Sequence, residues 1–166
     1  MYLLDTDVVF ELRKAKAGRT DAGLAAWAAG VARQNLFISA ITLLEFETAI
    51  GRLDRKDKDK AGAEGLRAWL DGQVMAAFDG RILPVDAAVV RRRGRLPYAD
   101  SRDALLAATA LEHGLTLVTR TREAFKAGRV KLFNPWGYSP ERPEDDDWGQ
   151  AARAARPWLR NLFMRT

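Results

Sequence analysis

RDALLAATALEHGLTLVTRT, residues 102–121, places a nearly all-apolar helix directly before an apolar strand. Ala104 to Leu111 is apolar on almost every face, so the helix it forms belongs inside a fold rather than on its surface. Gly114, just past His113, is a natural stop, because glycine enters the left-handed conformation that ends helices at little cost. Leu115 to Val118 then reads as a short buried strand. A buried helix running into a buried strand is the repeating unit of α/β proteins whose sheet is covered on both sides.

The rest of the chain repeats this alternation. Tyr2 to Leu4, Leu36 to Ile38 and Ile82 to Val85 are apolar runs of strand length, each followed by a stretch of helical character. Val130 to Phe133 is a fifth candidate, closed by the turn-forming pair Asn134-Pro135. Between them, Leu24 to Val31 is alanine-rich around Trp27, and Ile41 to Leu53 carries a helical apolar stripe. Leu66, Trp69, Leu70, Val74 and Phe78 continue that spacing. The expected architecture is a three-layer α/β/α domain with a mainly parallel central sheet, whose ligand site lies beyond the carboxyl ends of the strands.

A length of 166 residues suits one domain. The charge-mixed Asp54 to Lys60 reads as a solvated helix end or loop. After Trp136 the composition changes to the turn-rich, acidic GYSPERPEDDD, and Trp148, Ala152, Ala155, Leu159 and Leu162 then recur at helical spacing. The chain therefore divides into a domain over residues 1–136 and a linker with an amphipathic helical extension over 137–166. No apolar run is long enough to span a bilayer, and the opening meets Asp5 too early for a signal peptide. With no cysteine, disulfides, thiolate zinc sites and a cysteine nucleophile are excluded; a reducing compartment is permitted, and a cytoplasmic setting is the expectation. The single histidine excludes any scheme that needs two imidazoles, so a bound metal would have mostly oxygen ligands, as magnesium and manganese do. A net charge of +5 raises the odds of a polyanionic partner.

Carboxylates stand at chosen places in this basic chain. Asp5 follows the first strand, where it either caps the next helix or belongs to a site. Glu45 sits among Leu43, Leu44 and Phe46, and a carboxylate beside a buried stripe needs a cation, a hydrogen-bond network or a metal. Asp103 opens the late apolar helix, where capping is the plain explanation; Asp100 lies three residues earlier, in a loop. In a doubly wound sheet these three acids can converge on one cleft. Their mutual repulsion there is relieved by a divalent cation, which can also orient a phosphodiester and activate water. Asp86 reads as a helix cap and His113 as structural. Arg91, Arg92, Arg93 and Arg95 form either a phosphate-binding patch or a solvated face.

The strings LLDTDVVFELRK, ISAITLLEFETAIGRL, RILPVD and RDALLAATALEHGLTLVTRT, closed by VKLFNPW, resemble PIN-domain ribonucleases, in particular the VapC and FitB toxins of type II toxin–antitoxin pairs. The resemblance runs from about residue 2 to 136 in order. It implies that Asp5, Glu45 and Asp103 hold Mg²⁺ or Mn²⁺ and carry hydrolysis of RNA by metal-activated water. It also implies a cognate antitoxin as partner, a homodimer and antitoxin-bound hetero-oligomers, with DNA engaged only through the antitoxin and no membrane. The chain departs from the family at the fourth acidic position. Thr121 stands where Asn is usual, Ala124 where an acid is usual, and Asp7 replaces the common Asn of the first motif; Glu123, Thr121 or Asp7 would have to complete the site. A protein of weak activity that regulates through its antitoxin is the alternative. A phosphatase of the HAD type, reading Asp5 and Asp7 as a D-x-D pair, is a further one, but no strand precedes the acids at Glu144 to Asp147 that it would need.

Overall fold

The computed structural model describes residues 1–56 and 59–139. Strand β1 (Tyr2–Leu4) leads into α1 (Thr6–Leu12), and α2 (Ala22–Gly30) precedes β2 (Leu36–Ser39) and the long α3 (Ala40–Asp54). Helix α4 (Lys60–Trp69) continues through a wide π-type turn at Leu70–Val74 into α5 (Met75–Ala77). Then come β3 (Ile82–Leu83), α6 (Ala87–Arg93), α7 (Ser101–Glu112), β4 (Thr116–Val118), the short α8 (Arg122–Phe125) and β5 (Leu132–Phe133). All pairings among these strands are parallel, in the order β3-β2-β1-β4-β5.

Chain direction across the sheet reverses at β1, with β2 on one side and β4 on the other. That is the switch point at which doubly wound sheets open a crevice for ligands. Alternation along β1 divides the core: Tyr2 and Leu4 pack on one face with Leu24, Trp27, Phe46 and Trp69, while Leu3 packs on the other with Leu106, Ala107, Leu117 and Phe125. Helices thus cover both faces of the sheet, giving the expected three layers.

Several elements are shorter than their apolar runs, for local reasons. Pro84 has no N–H for a ladder, so β3 ends at Leu83 rather than Val85. The Leu115 N–H donates to Ala110 O at 2.8 Å, closing α7 around Gly114 at φ +63°, so β4 begins at Thr116. Arg129 adopts a left-handed φ of 56°, and β5 forms only at Leu132. Helix α7 starts earlier than its apolar run because Asp100 caps it, accepting the N–H groups of Arg102 and Asp103 at 2.7 and 3.0 Å. The helical extension expected around Trp148 to Leu162 lies outside the described residues. Among the described residues no helix is long and apolar enough to cross a membrane.

Candidate functional site

Asp5 ends β1 and caps α1. Its Oδ1 accepts the Thr6 N–H at 2.7 Å, and its Oδ2 accepts the hydroxyl of the fully buried Thr119 at 2.7 Å. Its own N–H donates to Val118 O at 2.9 Å, so the ends of β1 and β4 are tied through backbone and side chain together. The Thr119 hydroxyl also accepts the Thr121 N–H at 3.1 Å, which fixes its rotor toward Asp5. The capping and site readings of Asp5 are therefore both satisfied by one carboxylate.

Glu45 lies in the second turn of α3, which begins where Ser39 accepts the Ile41 N–H at 3.2 Å. The Glu45 carboxylate accepts the hydroxyl of Thr6, the residue after Asp5. Asp103 occupies the first turn of α7 and is released from capping because Asp100 does that work. A helix N-terminus favours the negative charge it carries.

These three acids, with Asp7, line one cleft of about 440 Å³. Their electrostatics show that they sense one another. Burial pushes Asp5 from its ordinary 3.8 up to about 6; the bonds from Thr119 and Thr6 oppose the rise, and the charges of Asp7 and Glu45 add to it. Asp103 is also raised, first by burial and then by Asp100 and Glu45. Glu45 is the charge common to both. Negative charge is thus concentrated here, and among the described residues none of the three acids enters a salt bridge.

Among the described residues no group of three or more acidic or histidine side chains is arranged to hold a metal ion as it stands. Asp5 and Glu45 are held by the two threonine hydroxyls, and Asp103 faces them from α7. The donor chemistry nonetheless fits Mg²⁺ or Mn²⁺, because every candidate ligand is a hard oxygen. Magnesium keeps several waters and takes only one or two protein carboxylates, so a closed three-acid shell is not required of it.

At the weakened fourth position, Thr121 and Ala124 both line the cleft, as Asp7 does from the other side. Glu123 does not; its carboxylate pairs with Lys126. Asp86 caps α6 by accepting the Val89 N–H at 2.9 Å. His113 is exposed at the far end of α7 from Asp103. The arginines of α6 do not act as one patch. Arg92 bonds Glu112 at the end of α7, Arg93 bonds Ser101 at its start, and none of them lines the cleft.

Four cleft residues were missed in sequence: Thr6, Thr119, Arg52 and Arg102 (Thr119 hydrogen-bonds into the cleft through Asp5; the others line it). Arg52 stands two helical turns after Glu45, and Arg102 immediately before Asp103, so spacing from the acids could have found both. A threonine directly after a strand's last apolar residue carries no comparable signal.

A family model described as "PIN domain" matches residues 2–129. Over 144 residues the chain is 31% identical to "Toxin FitB" of Neisseria gonorrhoeae, covering 82% of this chain and 99% of that protein. It is 30% identical over 149 residues to "VapC ribonuclease Y4jK" of Sinorhizobium fredii, covering 82% and 98%. The solved structure described as FitAB bound to an IR36 DNA fragment superposes with a TM-score of 0.71 at 28% identity, covering 88% of this chain and all of that one.

Proposed function

The chain belongs to the PIN-domain family, and from that membership we propose that it is a divalent-metal-dependent endoribonuclease, the toxin of a type II toxin–antitoxin pair. The observation that carries the reading is the meeting of Asp5, Glu45 and Asp103 in one cleft at the sheet's switch point, with Asp5 and Asp103 each raised by burial and by the charge of Glu45. Two curated relatives named as a toxin and as a ribonuclease support it. Membership in this family removes the HAD-type phosphatase.

Asp5, Glu45 and Asp103 would hold Mg²⁺ or Mn²⁺. Bound there, the ion supplies neutralisation of the acids, orientation of a phosphodiester and a water of lowered pKa. The chain's own groups prepare that state. Thr119 and the Thr6 N–H fix both oxygens of Asp5, so the carboxylate presents one orientation to the cleft. Thr6 aligns Glu45 against it, coupling α3 to the end of β1. Asp103, in the first turn of α7, brings a third carboxylate to the same cleft. The cognate antitoxin is the proposed partner, with a homodimer as the core of the assembly and DNA reached through the antitoxin. The FitAB structure on a DNA fragment supports the partner and DNA parts of that arrangement.

The test is cleavage of single-stranded RNA by purified protein in magnesium, with and without EDTA, beside Asp5→Asn and Asp103→Asn. Loss of cleavage with EDTA and in both variants, with folding intact, is the expected result; cleavage that survives either variant refutes the assignment. A second reading rests on the fourth position, where Ala124 faces the cleft and Glu123 turns to Lys126. In that reading the protein is a poor nuclease whose role is to bind its antitoxin, and it would show no magnesium-dependent cleavage while still assembling on DNA with that partner.

A further inference from the structure

A cleft lined by four carboxylates repels a polyanion, and a cation among the acids answers only for the phosphate it touches. The phosphates on either side need positive charge of their own. Two arginines line the same cleft, Arg52 on α3 and Arg102 on α7. Both are exposed. Elsewhere on the surface, cations beside acids pair with them: Arg67 with Glu47, Arg92 with Glu112, Lys126 with Glu123. Among the described residues neither Arg52 nor Arg102 enters such a pair, although four carboxylates share their cleft. Asp100 feels the charge of Arg102, but its Oδ1 is committed to the N–H groups of Arg102 and Asp103.

Their placement is directional. Arg102 directly precedes Asp103, on one wall. Arg52 follows Glu45 by two helical turns, ~10 Å along the axis, on the other. Neither guanidinium is paired with the acids among the described residues, which leaves both for a phosphate that enters the cleft. A planar guanidinium suits that task, because it can meet two phosphate oxygens at once.

The geometry points to Arg52 and Arg102 as the residues that hold the two phosphates flanking the scissile one, so that a single RNA strand crosses the cleft from the α7 wall to the α3 wall. This rests on the reading of the cleft as a ribonuclease site. It moves phosphate recognition from the α6 arginines, which bond to the two ends of α7, into the cleft itself.

The experiment measures binding of a fluorescein-labelled single-stranded RNA oligonucleotide by anisotropy in EDTA, where nothing is cut, using parent, Arg52→Gln, Arg102→Gln, the double variant and Arg67→Gln. Each cleft variant should weaken binding about tenfold. Each should also reduce the log–log salt slope by about 0.7, the value of one phosphate contact on a single strand. Arg67→Gln should change neither. In magnesium, the parent should cut a longer oligonucleotide far better than a dinucleotide, which has no flanking phosphates, and the double variant should lose that preference. Parent-like binding by both cleft variants, no binding by the parent, or an equal loss in Arg67→Gln overturns the inference. A parent that binds as described and cuts nothing in magnesium defeats the nuclease reading instead and leaves the phosphate contacts standing.

Discussion

Replacing Asp5 by asparagine should make the metal-free protein more stable at neutral and alkaline pH. In the folded chain Asp5 titrates at about 6 rather than at its ordinary 3.8, so the fold prefers its protonated form. The stability tied to that proton is fully present below the unfolded value and is lost as pH rises through about 6. Above pH 7 the cost is ~3 kcal/mol, from 1.36 kcal/mol per pH unit. Asparagine removes the charge but not the shape. Its oxygen can still accept the Thr6 N–H, while its amide would donate to Thr119, whose hydroxyl already accepts from Thr121 and would lose its own acceptor. That loss takes back about 1 kcal/mol, leaving a net gain of ~2 kcal/mol. For a chain of this length the gain is ~4–8 °C in Tm. Thermal unfolding in EDTA from pH 4 to 8 reads it: the variant should melt above the parent at pH 8, and the gap should close as the pH falls below about 5. A variant that melts with or below the parent at pH 8 refutes the account of Asp5 as a buried, repelled carboxylate.

Three further outcomes follow from the same geometry. Ala124→Asp adds an acid to the cleft wall and should lower the magnesium midpoint of cleavage about tenfold, since ligand charge tunes affinity in oxygen sites; Glu123→Gln should leave it unmoved, and a reversed pattern would show that Glu123 serves the site. Thr119→Val removes the bond that holds Asp5 down, so the acid limb of the pH–rate profile should move to higher pH with a stability loss of about 1–2 kcal/mol; an unmoved limb would take Thr119 out of the site. Gly23→Ala would set a Cβ 2.5 Å from Tyr138 N and 2.8 Å from Pro135 O, and should lower the urea midpoint by the equivalent of about 2 kcal/mol; an unchanged midpoint would mean that the turn after β5 does not pack on α2.

The layered fold was legible because β1 to β5 and the buried α7 are written in apolar runs whose lengths separate strand from helix. The element ends were less so. Pro84 shortens β3 visibly in hindsight, but the loss of Leu115 from β4 depends on a bond back to Ala110 that no run length announces. Asp103 looked like a helix cap because it touches the apolar run, whereas the helix begins where Asp100 can reach two N–H groups. The grouping of the acids followed from strand order; their restraint by Thr6 and Thr119 did not, since a hydroxyl gives no pattern until its neighbour across the sheet is known. The α6 arginines stayed undecided in the sequence for a related reason: consecutive residues leave a helix in different directions, so Arg92 and Arg93 reach opposite ends of α7.

The bond from Thr119 to Asp5 joins residues 114 positions apart, and it bears on how the chain comes into being. Synthesis delivers Asp5 first and Thr119 near the end of the domain. Until then β1 can pair only with β2, and its other edge lies open to any strand that arrives, a hazard of parallel sheets whose closing partner is late. The cleft therefore has no existence in a partly made chain: Asp5 lacks the hydroxyl that orients it, and Asp103 and Arg102 lie on a helix not yet emerged. A growing chain carries Asp5 and Glu45 without the activity proposed for them, which would begin only when the last wall of the cleft has been delivered.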